Sequence, residues 1–182
     1  MPPKKQILME SETIEKPFVV CERRITLKHT CLYILEAILE FNYHNRKETP
    51  SLFDNKSNIN TEQNKIDNYD FQDFFQFCFK KLKLDDNLLI LIMMNIDKVI
   101  SNESFALSYN NINRLFYTCL CITKKYYEDN SYNNRTYANL VGLSCDDLLD
   151  MEMEYMSLIN FHLFIKDDDY VKYQRKMLNC MN

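Results

Sequence analysis

Glycine is all but missing: Gly142 is the single one in 182 residues. Phosphate-cradling loops and dinucleotide turns need glycines where the backbone bends tightly or approaches a ligand, so nucleotide chemistry by the known loop devices is excluded. Tryptophan is absent, and no proline follows Pro50, so nothing beyond that point breaks a helix by force. No apolar run approaches the roughly 20 residues that span a bilayer, which sets a membrane role aside. Excess positive charge is lacking too. With 22 Lys and Arg against 26 Asp and Glu the net charge is −4, and Lys4-Lys5 and Lys80-Lys81 are isolated pairs that read as solvated surface. No nucleic-acid-binding face is expected. Met1 to Ser11 has no charged start followed by an apolar run, so no secretory signal is expected. The seven cysteines are odd in number and scattered through helical patterns. Reduced thiols in the cytosol or nucleus are the expectation.

What remains is a globular composition, 46% hydrophobic and 13% aromatic, enough for one domain with a proper core. Residues 1–21 are polar with early prolines and are expected to be mobile. Helical periodicity predicts an N-terminal helix over 22–45, with Leu27, Cys31, Ile34, Leu35, Ile38 and Phe41 on its buried side. The segment 46–68 is polar and shows no period. It reads as disordered or as clipped to the surface by Leu52 and Phe53.

Five helices are then predicted in order, over 70–83, 86–101, 108–127, 134–141 and 145–161. In the first, Phe71, Phe74, Phe75, Cys78 and Leu82 form a stripe best read as core packing. Asp85 or Asp86 caps the second, whose run from Leu88 to Met94 has no polar interruption. A buried strand would explain that run alone, but its continuation through Ile96, Val99 and Ile100 decides for a helix. It is expected to be the central element.

Ser108 is the expected N-cap of the third helix. Ile112, Leu115, Phe116, Cys119, Leu120 and Thr123 share one face, leaving Arg114, Tyr117, Lys124 and Lys125 on or near the other. Gly142 closes the fourth helix, and Ser144 with Asp147 opens the fifth as a capping box. The fifth helix is apolar over most of its surface and is expected to be packed on several sides. Asp167 is the expected cap of a C-terminal helix in 164–182 carrying Tyr170, Tyr173 and Met177.

The order and wording of these pieces resemble the cyclin box, and within cyclins the single-box P-type group. The likeness lies in Ile96-Asp97-Lys98, Ile112-Asn113-Arg114-Leu115 and Lys125-Tyr126-Tyr127-Glu128-Asp129. It continues through Tyr132-Asn133-Asn134, Tyr137-Ala138, Val141-Gly142-Leu143-Ser144, Met151-Glu152 and Leu158 to Leu163. The resemblance implies an all-α protein, with a five-helix box over 69–163 between an extra N-terminal helix and a short C-terminal one. It implies a regulatory subunit of a cyclin-dependent protein kinase, not an enzyme, without a cofactor and monomeric when unbound.

In cyclins a lysine ending the third box helix and a glutamate in the fifth hydrogen-bond the backbone at the start of the kinase's movable helix. By resemblance those roles fall on Lys125 and Glu152, although Lys124 leaves room for an offset of one position. The resemblance also puts Tyr126, Met156 and Leu163 where cyclins present apolar side chains to the kinase. Core packing is the other reading of these three. Asp97 stands where the family has a structural acid paired with an arginine on the first box helix. This chain has no arginine between Arg46 and Arg114, so Lys80 or Lys81 would have to substitute, and lysine lacks the bidentate geometry. No substrate-docking patch is expected on that helix.

Cys119 and Cys121, two apart on a helix, point to different sides and cannot share a metal. His29, His44 and His162 have no partner at ligand spacing, so neither metal nor catalysis is expected. A second class remains open: a helical adaptor or transcription-factor-like module holding a non-kinase partner on the same box.

Overall fold

The computed structural model describes residues 26–45, 50–55 and 65–180. Among these there are eight helices and no strand: α1 (Leu27–His44), α2 (Lys65–Asn68), α3 (Phe71–Lys81), α4 (Asp86–Ile100), α5 (Ile112–Tyr127), α6 (Asn134–Val141), α7 (Cys145–Leu158) and α8 (Asp167–Asn179). The protein is all-α, as expected. Residues 1–21, expected to be mobile, lie outside the described residues.

Local chemistry sets most of the boundaries. Asp70 accepts from the backbone N–H of Gln72 at the start of α3, and Asp85, rather than Asp86, from that of Leu88 at the start of α4. Asn133 caps α6 through Thr136, and Ser144 caps α7 by accepting from the N–H of Asp147 at 2.9 Å. Gly142, at φ 77°, supplies the left-handed residue that lets α6 turn back into α7.

Ser108 does not serve as the side-chain cap of α5. The helix begins at Ile112, and Ser108 receives the N–H groups of Asn111 and Ile112 on its carbonyl. Asp167 is likewise a first-turn residue of α8, preceded by Lys166 at the cap position. An acid there suits the positive end of the helix without capping it.

The central element is α5, not α4. Every residue from Ile112 to Lys124 is buried, including Arg114 and Tyr117, which periodicity assigns to the outer face. The buried hydroxyls of this helix have partners. Thr118 donates to the carbonyl of Arg114, Asn95 donates to the hydroxyl of Thr123, and Tyr117 donates to the carbonyl of Tyr137.

Arg114 makes a two-pronged pair with Asp67, Nε to Oδ1 at 2.7 Å and an Nη to Oδ2 at 2.6 Å. Asn113 donates to the carbonyls of Ile66 and Tyr69. Together they clamp α2 to the middle of the fold, so the end of the polar connection is structural. Phe53 is fully buried while Leu52 stays in solvent, so one of the two expected clips holds.

α1 buries Leu27, Cys31, Leu32, Leu35 and Leu39, whereas Phe41 is exposed, contrary to expectation. α8 lies against α4, where Tyr170 donates to Asn87 and Tyr173 to Asp97. Asp97 thus takes a tyrosine from the C-terminal helix rather than Lys80 or Lys81. Burial pushes its carboxyl pKa up, and the Tyr173 hydrogen bond and nearby Lys176 only partly offset that.

α7 also departs from expectation. It buries Leu148, Met151 and Tyr155 on one side and leaves Leu149 and Met153 in solvent. No helix among the described residues is long and apolar enough to cross a membrane.

Candidate partner-binding site

Three helix segments converge on one polar cluster. Lys125 lies in the last turn of α5, where an ammonium group also meets the negative end of the helix. Glu152 comes from the middle of α7, and Asn134 is placed by the Asn133 cap that starts α6. Lys125 Nζ donates to Glu152 Oε1 and to Asn134 Oδ1, while the Asn134 amide donates to Glu152 Oε2 at 3.2 Å. The side chains of Lys125 and Glu152 keep 25% and 14% of their exposure, against 1% and 7% for Arg114 and Asp67.

The offset left open by the paired lysines resolves on geometry. Lys124 is buried and reaches one helical turn onward to Glu128, its Nζ 2.7 Å from Oε1. Lys125 is the one that reaches Glu152. An ammonium has three donors, of which Lys125 uses two here, and each Glu152 oxygen keeps a lone pair. The cluster can therefore still donate one hydrogen bond and accept others. The unpaired N–H and C=O groups at a helix end are natural complements.

Apolar side chains lie along the same chain segments. Tyr126 is exposed, its ring edge-on to Tyr127 with centroids 4.8 Å apart. Met156 is half-buried against the core. Leu163 is not presented as expected, because at 8% exposure it belongs to the core. Phe161 and Phe164 on either side of it are 64% and 66% exposed.

The reason is the way α7 ends. The helix stops at Leu158, and Asn160 and Phe161 both take left-handed backbone at φ 51° and 58°, a costly choice for non-glycine residues. Two devices hold the turn: Phe161 donates its N–H to the carbonyl of Met156 at 2.8 Å, and Lys98 donates to the carbonyls of His162 (2.9 Å) and Leu163 (3.1 Å). Burial lowers the Lys98 pKa. The residues that sequence reasoning missed are Asn134, Phe161 and Phe164. Asn134 sits inside a motif already singled out, but nothing in its spacing points at Glu152.

Cys119 and Cys121 are both fully buried and face different neighbours. Tyr155 lies beside Cys119 and Tyr117 beside Cys121, and burial pushes both thiol pKa values up. Among the described residues no three His, Cys, Asp or Glu side chains are placed to hold a metal ion.

The family model described as Cyclin matches residues 37–163, well over half of the chain. The chain belongs to the cyclin family. This cyclin is 29% identical over 103 residues to Cyclin-U2-1 of Arabidopsis thaliana, covering 56% of the chain and 46% of the relative. It is 23% identical over 155 residues to Cyclin-U4-3 of the same plant, covering 82% and 67%. It is also similar to PHO85 cyclin-7 of Saccharomyces cerevisiae, at 28% over 82 residues, covering 45% and 29%. The cyclin thus spans about half the length of the first two relatives it matches, at 46% and 45%.

Proposed function

We propose that this cyclin is a regulatory subunit that docks on the movable regulatory helix of a cyclin-dependent protein kinase and activates it, with no catalytic role of its own. The observation that carries the reading is the Lys125–Glu152–Asn134 cluster. It is assembled and oriented inside the free chain and still has hydrogen-bonding capacity, and Tyr126, Phe161 and Phe164 on the adjoining segments are exposed. Lys125 and Glu152 meet the backbone at the start of the kinase helix, Asn134 holds both in place, and Tyr126, Met156, Phe161 and Phe164 supply the apolar contact. Leu163 supports the last two from beneath.

The chemistry belongs to the kinase, which needs an internal Lys to Glu ion pair and an ordered activation loop before phosphate moves. Docking favours the conformer whose regulatory helix has turned its glutamate inward, a population shift paid for by interface binding. Preorganisation makes that binding cheaper, since neither side chain has to be ordered on contact.

The test is to mix the purified chain with cyclin-dependent kinases and measure both binding and phosphorylation of a generic peptide. Lys125→Ala and Glu152→Ala are each expected to weaken binding by at least about thirtyfold while the helical circular-dichroism spectrum is unchanged. Normal activation by both variants would overturn the site. Failure of the wild-type chain to bind any kinase of this class would overturn the function and favour a non-kinase partner.

A further inference from the structure

A second exposed surface lies at the far end of the molecule from Lys125. Tyr33, Glu36, Glu40 and Tyr43 fall within roughly 80° of arc on α1, beside the face that buries Leu32, Leu35 and Leu39. The segment before α5 is held against this helix by Asn42, whose amide donates to the carbonyl of Leu107 at 2.8 Å. That contact brings Tyr109 onto Tyr43, with the rings edge-to-face at 6.3 Å between centroids. Tyr33, Tyr43 and Tyr109 are all exposed.

Three carboxylates share the surface. Burial together with the negative charges of Glu40, Glu36 and Asp70 pushes up the Tyr109 pKa, and burial with Asp70 and Glu40 does the same to Glu36. Neither Glu36 nor Glu40 has a lysine or arginine partner among the described residues. His44 adjoins the patch: its ring lies against Tyr43 and its Nδ1 engages the carbonyl of Glu40. Tyr109 precedes α5 and Lys125 ends it, so about 20 Å of helix separates this surface from the kinase-facing cluster.

We infer that the surface formed by Tyr33, Glu36, Glu40, Tyr43, Asp70 and Tyr109 docks a lysine- or arginine-rich peptide segment of a partner protein. The charge selects the occupant. An acidic partner would be repelled, and a purely apolar one would strip water from carboxylates and leave them unpaired. A second copy of the chain docking the same face would bring like charges together. A cationic side chain satisfies both components, because its stem and charge lie over a tyrosine face within about 6 Å while its N–H groups reach the glutamates. The inference stands whether or not the kinase reading does, since it rests on other residues.

The test is fluorescence anisotropy on the full chain with a labelled peptide alternating arginine and glycine as the probe, and the same peptide with glutamate for arginine as the comparison. The arginine peptide is expected to bind and the glutamate peptide not. Tyr43→Ala with Tyr109→Ala, and separately Glu36→Gln with Glu40→Gln, are each expected to weaken binding about tenfold. Asp167→Asn with Asp168→Asn removes the same charge from α8 and is expected to leave binding within about twofold. Equal weakening by the α8 pair would mean diffuse attraction to an acidic protein and would overturn the inference. So would unchanged binding in the tyrosine pair. Sedimentation showing a dimer that the tyrosine pair abolishes would overturn it in favour of a second copy.

Discussion

Two of the ion pairs on α5, Arg114–Asp67 near its start and Lys125–Glu152 at its end, do opposite work. Arg114 and Asp67 are sealed from water and each uses its planar group against the other, a guanidinium fork on a carboxylate. Neither group is open to an arriving partner. Lys125 and Glu152 are partly open, bridged by Asn134, and retain both a donor and acceptors. The chemistry of the cations matches the roles: arginine gives fixed bidentate geometry, and lysine gives a compact charge whose spare N–H can turn toward an arriving group. The difference teaches that an ion pair's worth to function lies in what it leaves unsatisfied, and its worth to the fold in what it does not.

The largest effect is expected at the sealed pair. Arg114→Ala strands Asp67 in the core and is expected to cost about 3–5 kcal/mol in urea unfolding, enough to threaten the fold. Replacing both partners with apolar residues, Arg114→Met with Asp67→Leu, is expected to recover most of that loss. If the single variant costs no more than Lys125→Ala, the distinction between the two pairs fails.

The next largest effect separates Leu163 from its neighbours. Leu163→Ala is expected to lose about 2–3 kcal/mol of stability by leaving a cavity, whereas Phe161→Ser and Phe164→Ser are expected to leave the urea midpoint nearly unchanged and to weaken kinase binding instead. Measuring both quantities on all three variants checks which side chains serve the core and which serve the surface.

The smallest effect concerns a third acid, Asp97. Its pKa is raised in the folded state, so folded chains hold that proton where unfolded chains have released it. Stability is therefore fully present below the usual carboxylate range and falls as pH rises through the folded value, levelling off above it. Asp97→Asn keeps an acceptor for Tyr173 and removes the slope, with a gain of less than about 1 kcal/mol at neutral pH. Urea midpoints between about pH 4 and 7 that fall equally in both proteins would show that another group is responsible.

These contrasts also show what a sequence exposes. Some caps were legible because they act over three residues: Asp85, one of two candidates, and Ser144 are where their chemistry requires them, and Gly142 is left-handed at the end of α6, whereas Ser108 and Asp167 do not cap their helices. The Lys125 to Glu152 pairing spans 27 residues and came from family resemblance, not from spacing. The Arg114 to Asp67 pair spans 47 and carried no signal at all, because a polar residue in a periodic pattern is scored as facing water. That one assumption also hid the burial of Tyr117 and put α4 at the centre in place of α5. The phase of residues 159–164 was lost for a different reason: left-handed backbone at Asn160 and Phe161 cannot be inferred when neither is glycine.

The burial of α5 has a consequence for how this protein can change. Thirteen consecutive positions, Ile112 to Lys124, touch no solvent face on which a substitution could be absorbed. A saturation library is expected to tolerate almost nothing there, while Leu149 and Met153 on α7 accept most residues. Novelty in this molecule can therefore enter only around its axle and never along it.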